Sequence, residues 1–142
     1  LVPVGRLDMY TSGALILTND GDFVYKVTHP KNEVTKTYTV TLKGQVSNDE
    51  IEKLRSGVVL DDGFKTSSAK VKRIMEDKEN NKTRLEIVIH EGKNREVRRM
   101  CDAIGKKVLA LHRSKIGTIS LEGLTIGKWR YLKDDEVQKL LK

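Results

Sequence analysis

The stretch "VGRLDMYTSGALILTNDG", residues 4–21, sets one carboxylate, Asp8, behind an Arg-Leu pair and ahead of a Thr-Ser-Gly turn. An aspartate so placed reads either as a turn or capping residue or as an acid, base or nucleophile. Arg6 would share the Asp8 face of an extended strand, as a plain surface charge or as a phosphate ligand beside the carboxylate. Tyr38 stands on the apolar side of the alternating "TKTYTVTLKG". Such a tyrosine is either core with its hydroxyl at the edge or a platform for an unstacked base. Arg98 is either a salt-bridge residue on a helix flank or a buried partner that keeps a carboxylate ionised.

Other familiar chemistries fail on spacing. "DGD" at 20–22 resembles a calcium loop, but Val24 occupies a ligand position and no bidentate glutamate closes it. His29, His90 and His112 have no ligand spacing, so no metal is expected. "TSG" lacks the flanking glycines of a nucleophile elbow, and "HEGKNRE" lacks the pattern of a phosphate-cradling loop. The lone Cys101 excludes an internal disulfide framework and reads as a small core residue. No cofactor motif remains.

The chain has 142 residues, 37% hydrophobic and 33% charged, the size and balance of one globular domain. No apolar run approaches the roughly 18 residues of a membrane span, and no leader-like segment is visible, so a cytoplasmic setting is expected. Residues 93–115 hold eight Lys or Arg against two acids, and so carry six of the seven net positive charges. That concentration points to an anionic partner, nucleic acid ahead of an acidic protein surface.

These residues need a scaffold. "ALILTN" (14–19) reads as a buried strand closed by an Asn19-Asp20-Gly21 turn, and "DFVYKVTH" as a helix ended by Pro30. "TKTYTVTLKG" is a half-buried strand. "SNDEIEKLRSG" is a helix with a Ser47–Glu50 capping box and Gly57 at its end. "KTSSAKVKRIM" and "TRLEIVIHE" form a hairpin across "EDKENNK". "NREVRRMCDAIG" is a helix capped by Asn94 and stopped at Gly105, with Val97, Met100, Cys101 and Ile104 as its apolar stripe. "KVLALHRSKIGTISL" gives one or two strands, and a last helix starts at Asp134. The expected fold is α+β: a mixed, largely antiparallel sheet flanked by helices.

Four stretches, in order along the chain, carry a resemblance. "GRLDMYTSGALILTNDG" is similar to G-R-L-D-x-x-T-x-G-L-L-L-L-T-N-D-G, with Ala14 and Ile16 as departures; "KTYTV" is similar to K-x-Y-x-V. "EGKNREVRRM" is similar to E-G-[RK]-N-R-Q-[VI]-R-R-M, with Glu96 in place of glutamine, and "LHRSKIGTISLEGLTIGKWRYL" to L-x-R-x-x-I-G…G-x-x-R-x-L. The pattern resembles the RsuA/RluB-type pseudouridine synthases, which isomerise uridine in structured RNA. The resemblance implies that Asp8 is the catalytic aspartate, Tyr38 the active-site tyrosine that stacks on the base, and Arg98 the basic partner of Asp8. RNA contacts are expected from Arg6, Lys36, Lys93, Asn94, Arg95, Arg99 and Arg113, with ribosomal RNA as partner and no cofactor. "GVVLDDGFKTSSAKV" resembles the large-subunit members, which implies 23S rRNA; 16S rRNA or tRNA is the alternative. A non-catalytic RNA-binding or ribosome-associated module would share the basic block but has no need of Asp8. The resemblance also implies that residues 1–142 form a catalytic domain without its N-terminal part or an S4-like domain. Sheet edges left bare by that would favour self-association.

Overall fold

Alternation decides the central strands and capping chemistry decides the helices. The computed structural model describes residues 1–32 and 34–141. The chain begins with β1 (Val2–Val4), β2 (Thr11–Gly13), β3 (Ile16–Thr18) and α1 (Gly21–Thr28). After a 3-10 turn at Pro30–Asn32 come β4 (Lys36–Lys43), α2 (Asn48–Ser56), β5 (Lys70–Asp77) and β6 (Lys82–Ile89). It closes with α3 (Glu96–Ala103), β7 (Val108–Ile116), β8 (Ile119–Ser120) and α4 (Asp134–Leu141).

The main sheet runs β2-β7-β4-β6-β5, with β8 paired to β7; β1 and β3 form a separate antiparallel ribbon. Among the described residues, only β2–β7 is parallel. The fold is therefore α+β with the mixed, largely antiparallel sheet that the sequence predicts. The Ser47–Glu50 capping box forms, Gly57 takes a positive φ of 107°, and Asp134 opens α4.

Some boundaries differ, each for a tertiary reason. "ALILTN" is not a buried strand: Ala14 and Ile16 are buried, but Leu15 and Leu17 are 43% and 57% exposed. Among the described residues its strand pairs only with β1, in a two-stranded ribbon. Asp20 does not close a turn there; its Oδ1 accepts from the amides of Asp22 and Phe23 and caps α1. β5 starts at Lys70, because the segment before it turns back on the α2–β5 connection: Val59 bridges Lys65, and buried Thr66 accepts from the Val58 amide at 2.9 Å. Asn94 does not cap α3. Arg95 holds that position in a left-handed conformation (φ 53°), with no side-chain capping bond.

Two hydrophobic clusters result. One packs Val40, Leu42, Leu85 and Ile87 of the sheet against Leu54 of α2 and Met100 and Cys101 of α3. The other joins Val4, Ile16, Phe23, Val27, Ile116 and Leu140. Burial pushes the Cys101 thiol up to about 12, an inert core residue.

Candidate active site

One face of the sheet changes character along its length. Val40, Leu42, Ile87 and Leu85 are core, while further along β4 the same face presents Tyr38 and Lys36, joined by Arg113 of β7 and Ile89 of β6. There the two clusters part and leave a cleft of about 300 Å³. Val4 and Val27 wall it on one side and Val97 and Leu111 on the other. Asp8 and Arg6 line it from the β1–β2 connection and Thr11 from the start of β2, with Glu91, Lys93, Asn94 and Arg95 from the β6–α3 loop and Glu96 from the first turn of α3.

Asp8 opens a tight turn: its carbonyl accepts from the Thr11 amide at 3.0 Å. Tyr10 inside that turn holds φ at 68°, a conformation costly for a bulky side chain. Arg98 secures it, its Nη2 donating to the Tyr10 carbonyl at 2.8 Å and to Thr11 Oγ1 at 3.4 Å. The expected Asp8–Arg98 pair is not among the ion pairs of the described residues. The guanidinium is drawn instead to the turn carbonyl, and its Nε stays buried without a partner. Arg6 and Asp8 lie on irregular backbone rather than a strand, yet both reach the cleft.

β2 reaches β7 because Gly13 carries no side chain. A Cβ there would lie 2.2 Å from the Arg113 carbonyl oxygen, and its φ is 129°. The close approach lets Arg113 Nε and Nη2 both donate to the Ala14 carbonyl, at 3.0 and 2.7 Å, while the Ala14 amide donates back to the Arg113 carbonyl. Arg113, expected at RNA, is thus buried and ties β7 to the Asp8 segment. Arg99, also expected at RNA, lies outside the cleft, at 2.7 Å from Asp61 and 2.9 Å from Asp62. Its Nη1 also donates to the Asn94 carbonyl. Exposed Lys93, Asn94 and Arg95 remain on the rim, with the Lys93 ammonium 4.2 Å from the Phe64 ring centroid.

The floor holds two ionisable groups under strain. Lys36 is pushed below its ordinary value, first by burial, then by the neighbouring Arg113 charge. Glu96 is raised to about 7, first by burial and next by hydrogen-bonding contact with Glu91, against the pull of the Lys93 amide. The sequence reading missed both glutamates as site residues. Helical spacing held the signal: Glu96 precedes Met100 by one turn and shares the buried stripe. Among the described residues, no group of three or more His, Cys, Asp or Glu is arranged to hold a metal ion.

The chain has relatives among known proteins. Ribosomal large subunit pseudouridine synthase B of Bacillus subtilis is 44% identical over 140 residues, covering 99% of this chain and 57% of that protein. Ribosomal small subunit pseudouridine synthase A of Vibrio cholerae is 40% identical over 140 residues, covering 97% of this chain and 58% of that one. A crystal structure of a pseudouridylate synthase matches with a TM-score of 0.85 at 36% identity, over 97% of this chain and 58% of its own. The chain therefore spans less than two thirds of these relatives. The family model described as RNA pseudouridylate synthase matches residues 1–103, the stretch that builds the Asp8 turn, the Tyr38 strand and the α3 loop. On sequence and on fold alike, the chain belongs to the RNA pseudouridylate synthase family.

Proposed function

We propose that this chain is the catalytic core of a ribosomal RNA pseudouridine synthase acting on a uridine of 23S rRNA. In this reading Asp8 is the catalytic carboxylate, Tyr38 the stacking platform, and Arg98 the group that holds the Asp8 turn. The reaction breaks the bond from ribose C1′ to N1 of uracil and forms one from C1′ to C5. The C5 proton leaves and N1 gains one, so the product is an isomer and no group donor enters the stoichiometry. A carboxylate serves such a step as nucleophile or as base.

A cleft of about 300 Å³ suits one nucleoside rather than a duplex. The target must leave its stack, at a cost of a few kcal/mol. Stacking on Tyr38 offsets about 1–3 kcal/mol of that. Lys93 and Arg95 on the rim hold phosphates while the base is out. The observation that carries the reading is the convergence of Asp8, Tyr38 and this basic loop, from three separate stretches, on one cleft. The 23S assignment draws on the "GVVLDDGFKTSSAKV" resemblance and on the Bacillus subtilis relative, whose name specifies the large subunit.

The test is incubation with 23S and 16S rRNA followed by mapping of pseudouridine. Asp8→Asn is expected to abolish product on 23S rRNA while RNA binding persists. Equal product from the variant would refute the catalytic role, and product on 16S alone would refute the substrate.

A further inference from the structure

The acidic pair at the base of the basic loop is the feature that the proposed reaction does not use. Glu96 is 3% exposed, a position where an ionised carboxylate needs compensation. Its Oε1 accepts from the Lys93 amide at 3.0 Å, and its Oε2 is buried without a hydrogen-bond donor. What stands beside it is a second carboxyl, Glu91. Glu91 in turn accepts from the Ser67 amide at 2.9 Å and lies 3.1 Å from the Ser67 hydroxyl. A proton on the Glu96 carboxyl turns its unpartnered oxygen into a donor.

We propose that Glu91 and Glu96 share one proton, and that this carboxyl pair is a positioning device that clamps the Gly92–Arg95 loop and sets its grip on RNA. The proposal rests on the RNA reading above. The two acids bracket the loop in sequence; one is anchored to the β5 lead-in through Ser67, the other to the loop's own Lys93 amide. With the proton in place the pair carries one negative charge. Without it, two adjacent carboxylates repel at the base of the segment that must meet phosphate.

Other charges facing the pair come from Lys36 on β4, with Arg113 on β7 behind it, and from Arg6 and Asp8 across the cleft. Lys36 favours the ionised form of Glu96, but its effect is the smallest of those acting there. The elevation of Glu96 to about 7 accords with the shared proton.

The sign of the coupling follows. Bound phosphates favour the protonated pair, so RNA raises the carboxyl's pKa further. Affinity is full below the free-state value and falls as pH rises through it. A shift of about one unit on binding corresponds to a tenfold loss.

The experiment measures affinity for a stem–loop RNA with a uridine in its loop, at fixed ionic strength, from about pH 6 to about pH 8.5. Wild type should weaken about tenfold. Glu96→Gln, whose amide donates to Glu91 and still accepts from Lys93, should bind with no pH dependence. Glu96→Ala, which cannot hold the loop, should bind weakly throughout. A fall in Glu96→Gln equal to wild type, or RNA bound by wild type without any fall, would overturn the proposal.

A second readout needs no RNA. The Glu96 carboxyl carbon, followed by NMR, should titrate near 7 and move down in Glu91→Gln. A midpoint in the ordinary carboxylate range would overturn the pair. RNA binding absent at every pH, with the carboxyl still titrating near 7, would remove the RNA reading and the loop's role in it while leaving the pair intact.

Discussion

Arg98 shows how one side chain can serve a carboxylate without touching it. Its guanidinium meets the carbonyl of Tyr10, the residue held at an unfavourable φ two places beyond Asp8. Removing it frees the turn to relax and lets the Asp8 carboxylate drift. Arg98→Ala is expected to lower kcat on the order of a hundredfold, since small misplacements of reacting groups are that costly. Stability should fall by about 1–3 kcal/mol, the range for a lost hydrogen bond to a charged group. Arg98→Lys should recover part of the loss, because both contacts come from one nitrogen, Nη2, and an ammonium can donate to the same two oxygens. An unchanged kcat in Arg98→Ala, by single-turnover kinetics, would show that the turn needs no such support.

At the scale of elements, the shortest strand does the most positioning. β2 is three residues long, yet its parallel pairing with β7 fixes the Asp8 segment over the sheet, and it depends on Gly13. Gly13→Ala puts a methyl carbon against backbone that cannot yield and forces an unfavourable φ. It is expected to cost about 3 kcal/mol or more. That corresponds to a Tm lower by roughly 10 °C for a chain of this size, readable by calorimetry. Local patterns were legible in the sequence: the Ser47 box, the period-2 strand around Tyr38 and the apolar stripe of α3 are all decided within a few residues. What was not legible depends on distant partners. The exposure of Leu17 follows from β3 having, among the described residues, only β1 beside it, and the burial of Arg113 follows from Gly13, a hundred positions earlier. The Asp8 motif and Tyr38 could be singled out by residue type and resemblance, whereas Glu91 and Glu96 emerge only when the β6–α3 loop folds under its own basic rim.

Across the whole molecule, the charge counted in the sequence is not the charge available to an anionic partner. Of the cations between residues 93 and 115, Arg99 is neutralised by Asp61 and Asp62, Lys106 pairs with Glu50, and Arg113 is buried. Exposed Arg6, Lys93 and Arg95 remain at the cleft. Counterion release from about three phosphate contacts predicts a log–log salt slope of roughly −2 for a single-stranded target. The Lys93→Ala, Arg95→Ala double variant should flatten that slope by about 1.4, whereas Arg99→Ala should leave it nearly unchanged. A steeper loss for Arg99→Ala than for the double variant would relocate the RNA track.

The cleft's position between two hydrophobic clusters has a consequence for its walls. Leu111 belongs to one and Ile116 to the other, so β7 runs through both. β4 pairs with β7 along the same length, so both clusters hang on one two-stranded spine. On the proposed function, the flipped nucleotide would sit where two separately packed cores part, so its walls belong to two different packing units.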